Sequence, residues 1–370
     1  MKHYRADQLG SFLRPQSLLD ARLAYDRGEL PLEQLREIED REILHALDEQ
    51  RRAGIDVFCD GEFRRSGFIG PLTELTAGLA ARSDPNGLHW AGTREGGSAA
   101  APASVRPKPK TVDELRTVPR LLDHEAEFLK AHAPGPFKIT VPSPVQGTRL
   151  LNPDDKPGDP DRDALVREVT ALIQREVRAL IDDGVPYVQL DAPRYAYYLD
   201  PKLRARLTDA GLDPEAELDE ALAADNACIG QAHPADITTG FHVCRGNNRS
   251  QWFAEGGYDD MAEKLFNRLD VDAFLLEYDS ERSGSFEPLR FVPVGKTVVL
   301  GLVTTKTPEL ESQDDLLRRI DEAARFVPLD DLALSPQCGF ASLLMGNLLT
   351  TDQQWRKLEL VVETARKVWG

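Results

Sequence analysis

Cysteine is scarce in this 370-residue chain, at four residues, and so are methionine, at three, and tryptophan, at four. Four thiols cannot staple a chain of this length, so a disulfide framework is excluded and each cysteine is a packing residue or a ligand. Positive charge is in deficit: 45 Lys and Arg against 62 Asp and Glu give a net charge of −17. Such a surface repels phosphate backbones and anionic lipid, which argues against nucleic acid as a partner. Long apolar runs are missing too. The best, Val298-Val299-Leu300-Gly301-Leu302-Val303, falls far short of the roughly 20 residues that cross a bilayer, so no membrane span is expected. The opening Met1-Lys2-His3-Tyr4-Arg5-Ala6-Asp7 leads into no apolar segment, and the expectation is a cytoplasmic protein.

What the chain does have is alternation. Short apolar, β-branched runs recur at 6–10, 55–59, 137–141, 187–190, 237–243, 273–277, 297–303 and 332–334, most of them followed by a stretch of helical periodicity. That rhythm is the signature of a parallel sheet, and eight β units point to a closed (β/α)8 TIM barrel. Amphipathic helices are expected at 32–54, 161–184, 315–326 and 352–369, with Gly54 ending the first and Asp as N-cap of the other three. The Gly-, Ala-, Ser- and Pro-rich stretch 82–110, closing on Arg106-Pro107-Lys108-Pro109-Lys110, reads as a loop or hairpin excursion inserted after strand two. No linker or repeat divides the chain, so 1–370 reads as one barrel domain.

In such a barrel the C-terminal strand ends share one mouth, and the chemistry should follow each apolar run. Ser11, Asp60 and Glu62, Ser143 and Gln146, Asp191, His242 and Cys244, Glu277 and Asp279, Lys306 and Cys338 occupy those places in turn. Any single Ser or Asp there serves equally well as a helix cap. His242-Val243-Cys244 is sharper, because residues two apart on a strand project from one face while Val243 points the other way. With Cys338 and Glu277 at two further strand ends, the set is one imidazole, two thiolates and one carboxylate, a donor set that suits Zn2+. Cys59, ending an apolar run, and Cys228, in the helical stretch 215–231, read as packing residues.

His242-Val243-Cys244-Arg245-Gly246-Asn247-Asn248, Leu276-Glu277-Tyr278-Asp279 and Ser335-Pro336-Gln337-Cys338-Gly339 together resemble the cobalamin-independent methionine synthase family, in its short, single-barrel form. The likeness extends from Leu9-Gly10-Ser11-Phe12 through Asp60-Gly61-Glu62-Phe63-Arg64-Arg65 and Gln189-Leu190-Asp191 to the C-terminal helix. It implies zinc on His242, Cys244, Glu277 and Cys338, and homocysteine held through its amino-acid part by Ser11, Glu62 and Asp191. The implied activity is transfer of a methyl group to the homocysteine thiol, forming methionine. The chain departs from the long family members, which carry a second N-terminal half, and in the run Asp191-Ala192-Pro193-Arg194. The donor is therefore open between methyltetrahydrofolate and another methyl carrier.

The expected partners are thus a small-molecule thiol and a methyl donor, and a homo-oligomer is compatible with the sequence. The alternative within the same chemistry is a zinc alkyltransferase with a different thiol and donor, such as an epoxide with coenzyme M or a corrinoid-bound methyl. A metal hydrolase is a poorer fit, since two thiolates weaken a Lewis acid. A non-catalytic barrel would leave the carboxylates as helix caps. Phe12, Phe63, Tyr195, Tyr197, Trp252 and Phe340 fall near the expected mouth and offer a stacking platform for a planar donor, or simply pack.

Overall fold

A computed structural model describes residues 4–73, 91, 115–116, 118–150 and 160–370. Six parallel strands pair in sequence order: β1 (Lys138–Pro142), β2 (Tyr187–Asp191), β3 (Thr238–Val243), β4 (Ala273–Glu277), β5 (Thr297–Val303) and β6 (Leu332–Pro336). Each matches an expected run to within a residue or two. The first two expected strands differ: 6–10 and 55–59 shrink to single parallel bridges, Ala6 to Leu334 and Phe58 to Phe137.

Those bridges nevertheless close the ring. Leu334 N–H donates to Arg5 O and Asp7 N–H to Leu334 O, both at 2.9 Å, so the first segment pairs with β6. Asp56 N–H reaches Ala6 O at 3.1 Å, and Phe58 O accepts from Lys138 N at 2.8 Å, which joins the second segment to the first and to β1. The result is an eight-membered parallel barrel in which two staves are too short to count as regular strands.

Strand alternation sorts the core into two regions. Leu9, Ala273, Leu275, Val299 and Ala333 form one apolar cluster, while Phe241, Val243, Phe274, Leu276, Val298 and Leu300, their alternates, belong to the large cluster that includes the helices' buried faces. In register, Thr140 pairs with Gln189 and Gln189 with Gly240 in one layer, and Asp191 pairs with His242 one step nearer the mouth. The inner face is therefore apolar in part and polar where the layers approach the C-terminal ends.

The helices lie where the periodicity placed them, with shifted caps. Leu32–Ala53 ends on Gly54 in the left-handed conformation at φ 84°, as expected of a C-cap glycine. Helix Pro160–Asp182 matches the second expectation, and Gln313–Ala323 the third. Asp161 falls inside the second helix and is not its N-cap, and Asp does not cap the last two either. Ser312 precedes Gln313 without a side-chain cap, and Thr350 caps helix Thr351–Trp369 through a capping box with Gln353. Of the excursion expected at 82–110, every residue but Ala91 lies outside the described set, the tract 106–110 included. Ala91 makes an antiparallel bridge with Trp252. No helix among the described residues is long and apolar enough to cross a membrane.

Candidate metal centre

Strand β3 brings His242 to the inner face near its C-terminal end, and Cys244 follows two residues later on the same side. Strand β6 delivers Cys338 from across the barrel. One donor atom from each of the three lies within 4.8 Å of the others, and all three residues are buried. The imidazole is oriented by a hydrogen bond between Nδ1 and Leu275 O at 3.0 Å. Its Nε2 is buried without a hydrogen-bond partner among the described residues. A buried, unpartnered imidazole nitrogen costs free energy unless something is meant to fill its lone pair. A soft divalent cation among one imidazole and two sulfurs would do so, and the donor set fits zinc.

The protonation balance of the three groups points the same way. The Cys338 thiol is held well below the usual range, chiefly by the adjacent Cys244 thiol and, against burial, by His242 and Lys306. The Cys244 thiol is raised by that same interaction, by burial and by the charges of Cys338 and Glu277. Burial opposes charging of His242, but the Cys338 sulfur and the Asp191 carboxylate outweigh it and raise its pKa. The cluster already favours one thiolate, which is half of what a dicysteinate metal site requires.

Glu277 is not brought into this group. It ends the neighbouring strand β4 fully buried, but one carboxylate oxygen accepts from Arg245 N at 2.7 Å and the other from Arg282 Nη2 at 2.7 Å. Arg282 also bonds Asp279 at 2.7 Å and lies over the Trp252 ring, 4.6 Å from its centroid. Burial raises the Glu277 pKa, and Lys306, Arg282 and Arg245 more than reverse it. The fourth expected ligand is therefore a carboxylate, ionised and adjacent, engaged by cations of its own.

The candidate metal group opens on a cavity whose walls include Ser11, Glu62, Asp191, His242, Cys244 and Cys338. Six of the seven residues singled out in the sequence thus share one cavity, Glu277 being the exception. Ser11 follows the first bridge, with Phe340 N donating to its carbonyl at 2.8 Å. Gly339 lets the Ser11 hydroxyl approach, since a Cβ at 339 would stand 2.0 Å from Ser11 Oγ. Glu62 sits at φ 57°, a left-handed conformation costly for a non-glycine residue and characteristic of functional loops. Thr140 Oγ1 donates to its Oε1 at 2.8 Å, while Oε2 is buried without a partner. Asp191 accepts from Gln189 Nε2 at 2.7 Å. Burial pushes Asp191 up to about 7, opposed by His242 and assisted by Glu62, and burial likewise raises Glu62 against the pull of Arg65. Two buried carboxylates that resist ionisation are a site short of one cation.

None of the six aromatic residues proposed from sequence is among those lining this cavity, and Tyr197 packs against the Phe253 ring. Phe12, Phe63, Tyr195 and Phe340 are buried in the core, and Trp252 stacks beneath Arg282. The aromatic walls are Phe68 and Phe253 instead, with Leu343 beside them. Neither stands at a strand end, so strand-end reasoning passes over both. Cys59 and Cys228 are packing residues as expected, their thiols donating to Gly10 O at 3.0 Å and Thr170 O at 3.4 Å.

The family model described as cobalamin-independent synthase, catalytic domain, matches residues 6–367. Protein YxjG of Bacillus subtilis (strain 168), whose function is uncharacterised, is 40% identical over 371 residues, covering 99% of this chain and 95% of its own. A methionine synthase of Pyrococcus abyssi is 24% identical over 97% of this chain and 91% of its own. Among solved structures, a Listeria monocytogenes protein assigned as a vitamin-B12-independent methionine synthase superposes with a TM-score of 0.71. It is 28% identical and covers 99% of this chain and 98% of that one.

Proposed function

Because the chain belongs to the cobalamin-independent synthase catalytic-domain family, we propose that it is a zinc-dependent S-methyltransferase that methylates the thiol of homocysteine to give methionine. Family membership supports a methyltransferase acting on small molecules. The acceptor and the metal are the finer reading, and one observation carries it. An unpartnered imidazole nitrogen and two thiols meet at the wall of a cavity that also holds two buried, cation-deficient carboxylates.

His242, Cys244 and Cys338 would hold the zinc, with the fourth place left to Glu277 or to the acceptor thiol. When bound, zinc lowers the pKa of a coordinated thiol from about 8.5 and so supplies a nucleophilic sulfur near neutral pH. The remaining work falls to this chain's own side chains. Leu275 O fixes the imidazole tautomer through Nδ1, so that Nε2 faces the cluster. Glu62 and Asp191 bind the acceptor's ammonium, whose charge offsets the burial cost that raises both carboxyl groups, and Ser11 adds a hydroxyl to the same wall. Anchoring the amino-acid end fixes the line along which sulfur meets the methyl carbon, which is what an in-line displacement needs. Phe68, Phe253 and Leu343 give the same cavity apolar walls suited to the body of a donor.

The test is methionine formation by zinc-loaded protein from homocysteine and a set of donors: methyltetrahydrofolate, a methyl sulfonium and a corrinoid-bound methyl. Methionine from any of the three bears out the acceptor and identifies the donor. No methionine with all three, together with turnover of a different thiol, overturns the homocysteine reading.

A further inference from the structure

Among the described residues, Glu62 and Asp191 each accept a side-chain hydrogen bond through only one oxygen, and by the same device. Thr140 Oγ1 donates to Glu62 Oε1 at 2.8 Å, and Thr140 Oγ1 in turn accepts from Arg65 Nη1 at 2.9 Å. Arg65 is itself locked to Glu125, with Nε to Oε1 at 2.8 Å and Nη2 to Oε2 at 2.5 Å, and donates again to Thr140 O at 2.9 Å. On the next strand, Gln189 Nε2 donates to Asp191 Oδ1 at 2.7 Å while its Oε1 accepts from Lys138 Nζ at 2.9 Å. Lys138 is paired with Asp7 at 2.5 Å. Thr140 and Gln189 are register partners on β1 and β2, one layer below the mouth. All of these side chains are buried.

In both relays a neutral side chain stands between a cavity carboxylate and a buried ion pair. Arg65 Nη1 stands 3.7 Å from Glu62 Oε1, an ion-pair distance beyond hydrogen-bond range, so its charge acts on Glu62 without a direct bond to it. A guanidinium or ammonium placed directly on either carboxylate would neutralise it and compete with a substrate cation. A hydroxyl or amide instead fixes the orientation and leaves the charge unspent. Gly10 makes room for the first relay, since a Cβ there would stand 2.5 Å from Thr140 Cγ2 and 3.1 Å from Glu62 Oε1.

We propose that Thr140 and Gln189 are positioning residues that aim Glu62 and Asp191 at the acceptor's ammonium and so make the site selective for a thiol bearing an α-amino group. This rests on the functional reading above. The experiment is calorimetric binding of L-homocysteine and of 4-mercaptobutanoic acid, the same thiol without its amino group, to zinc-loaded protein. Thr140→Val is expected to weaken homocysteine roughly tenfold, the scale of one hydrogen bond to a charged group, and to leave the des-amino thiol within about twofold of wild type. Thr140→Ser, which keeps the hydroxyl, restores homocysteine to within about threefold. Gln189→Met makes the same comparison on the second relay, and carries the test if Thr140→Val does not fold. Equal weakening of both thiols means a merely structural role and overturns the inference, as does unchanged discrimination in the variants. If wild-type protein itself does not prefer homocysteine to the des-amino thiol, the functional reading fails first. If it does and the variants keep that preference, only the positioning role fails.

Discussion

At the scale of single residues, the candidate metal donors divide into three that the backbone brings together and one that it does not. His242 and Cys244 come from a strand and its immediate continuation, so their common side follows from alternation, and Cys338 follows from its place after an apolar run. Glu277 obeys the same strand-end rule, yet its carboxylate is taken by Arg245 N and Arg282. That outcome depends on which cation folds back five residues later, which no periodicity encodes. Thr140 and Gln189 were legible only in hindsight: each lies two residues below a mouth position on its own strand, but an isolated Thr or Gln in an apolar run carries no functional signature. Cys338→Ser should therefore abolish stoichiometric zinc, whereas Glu277→Gln should keep about one zinc per chain with affinity reduced by no more than roughly tenfold. Metal analysis after gel filtration and chelator competition read both. Loss of zinc in Glu277→Gln as complete as in Cys338→Ser would make the carboxylate a full ligand.

At the scale of elements, regular strands were legible where β-branched residues dominate, as in Val298-Val299 and Ile237-Thr238-Thr239. The first two staves were placed correctly but are too short for a ladder, because the backbone amides of Ala6, Gln8 and Gly10 are taken by the side chains of Asp56, Asp7 and Gln8. Helix caps were misread because Asp, Ser and Thr compete for one role, and the side chain that reaches the free amide wins, as Thr350 does. Asp225, on helix Pro214–Ile229, shows how elements are tied together: it accepts from Ser143 Oγ after β1 at 2.6 Å and from Tyr195 OH after β2 at 2.7 Å. Burial pushes its carboxyl up to about 7 despite both bonds, from 3.8. A carboxyl with a higher pKa folded than unfolded binds more protons in the native state, so it costs stability progressively as pH rises from about 4 to about 7. Asn cannot ionise. The stability of Asp225→Asn relative to wild type should consequently rise between pH 5 and pH 8 by an amount on the order of 2–3 kcal/mol. Urea midpoints at the two values measure it, and a pH-independent difference would contradict the assignment.

At the scale of the whole molecule, the question is whether metal makes the fold or merely occupies it. The donors stand at the ends of a parallel barrel whose ladders run from β1 to β6 and close through Ala6 and Phe58 without involving a single ligand side chain. Two apolar clusters, one formed by inward-facing alternates of the strands and one reaching the helices, are complete without it. A site of this kind is preformed, unlike a small zinc domain in which binding energy is folding energy. Metal then stabilises only by mass action, by about 2.7 kcal/mol at a hundredfold excess over Kd. Spread over the unfolding entropy of a chain of this length, that is a change in Tm on the order of 3 °C. Chelator-treated protein should accordingly keep its far-ultraviolet circular dichroism and unfold cooperatively a few degrees lower, while its homocysteine binding disappears. Collapse of the dichroism on chelation would show that the two thiols and the imidazole cannot be left facing one another without a cation, and that the barrel depends on what it holds.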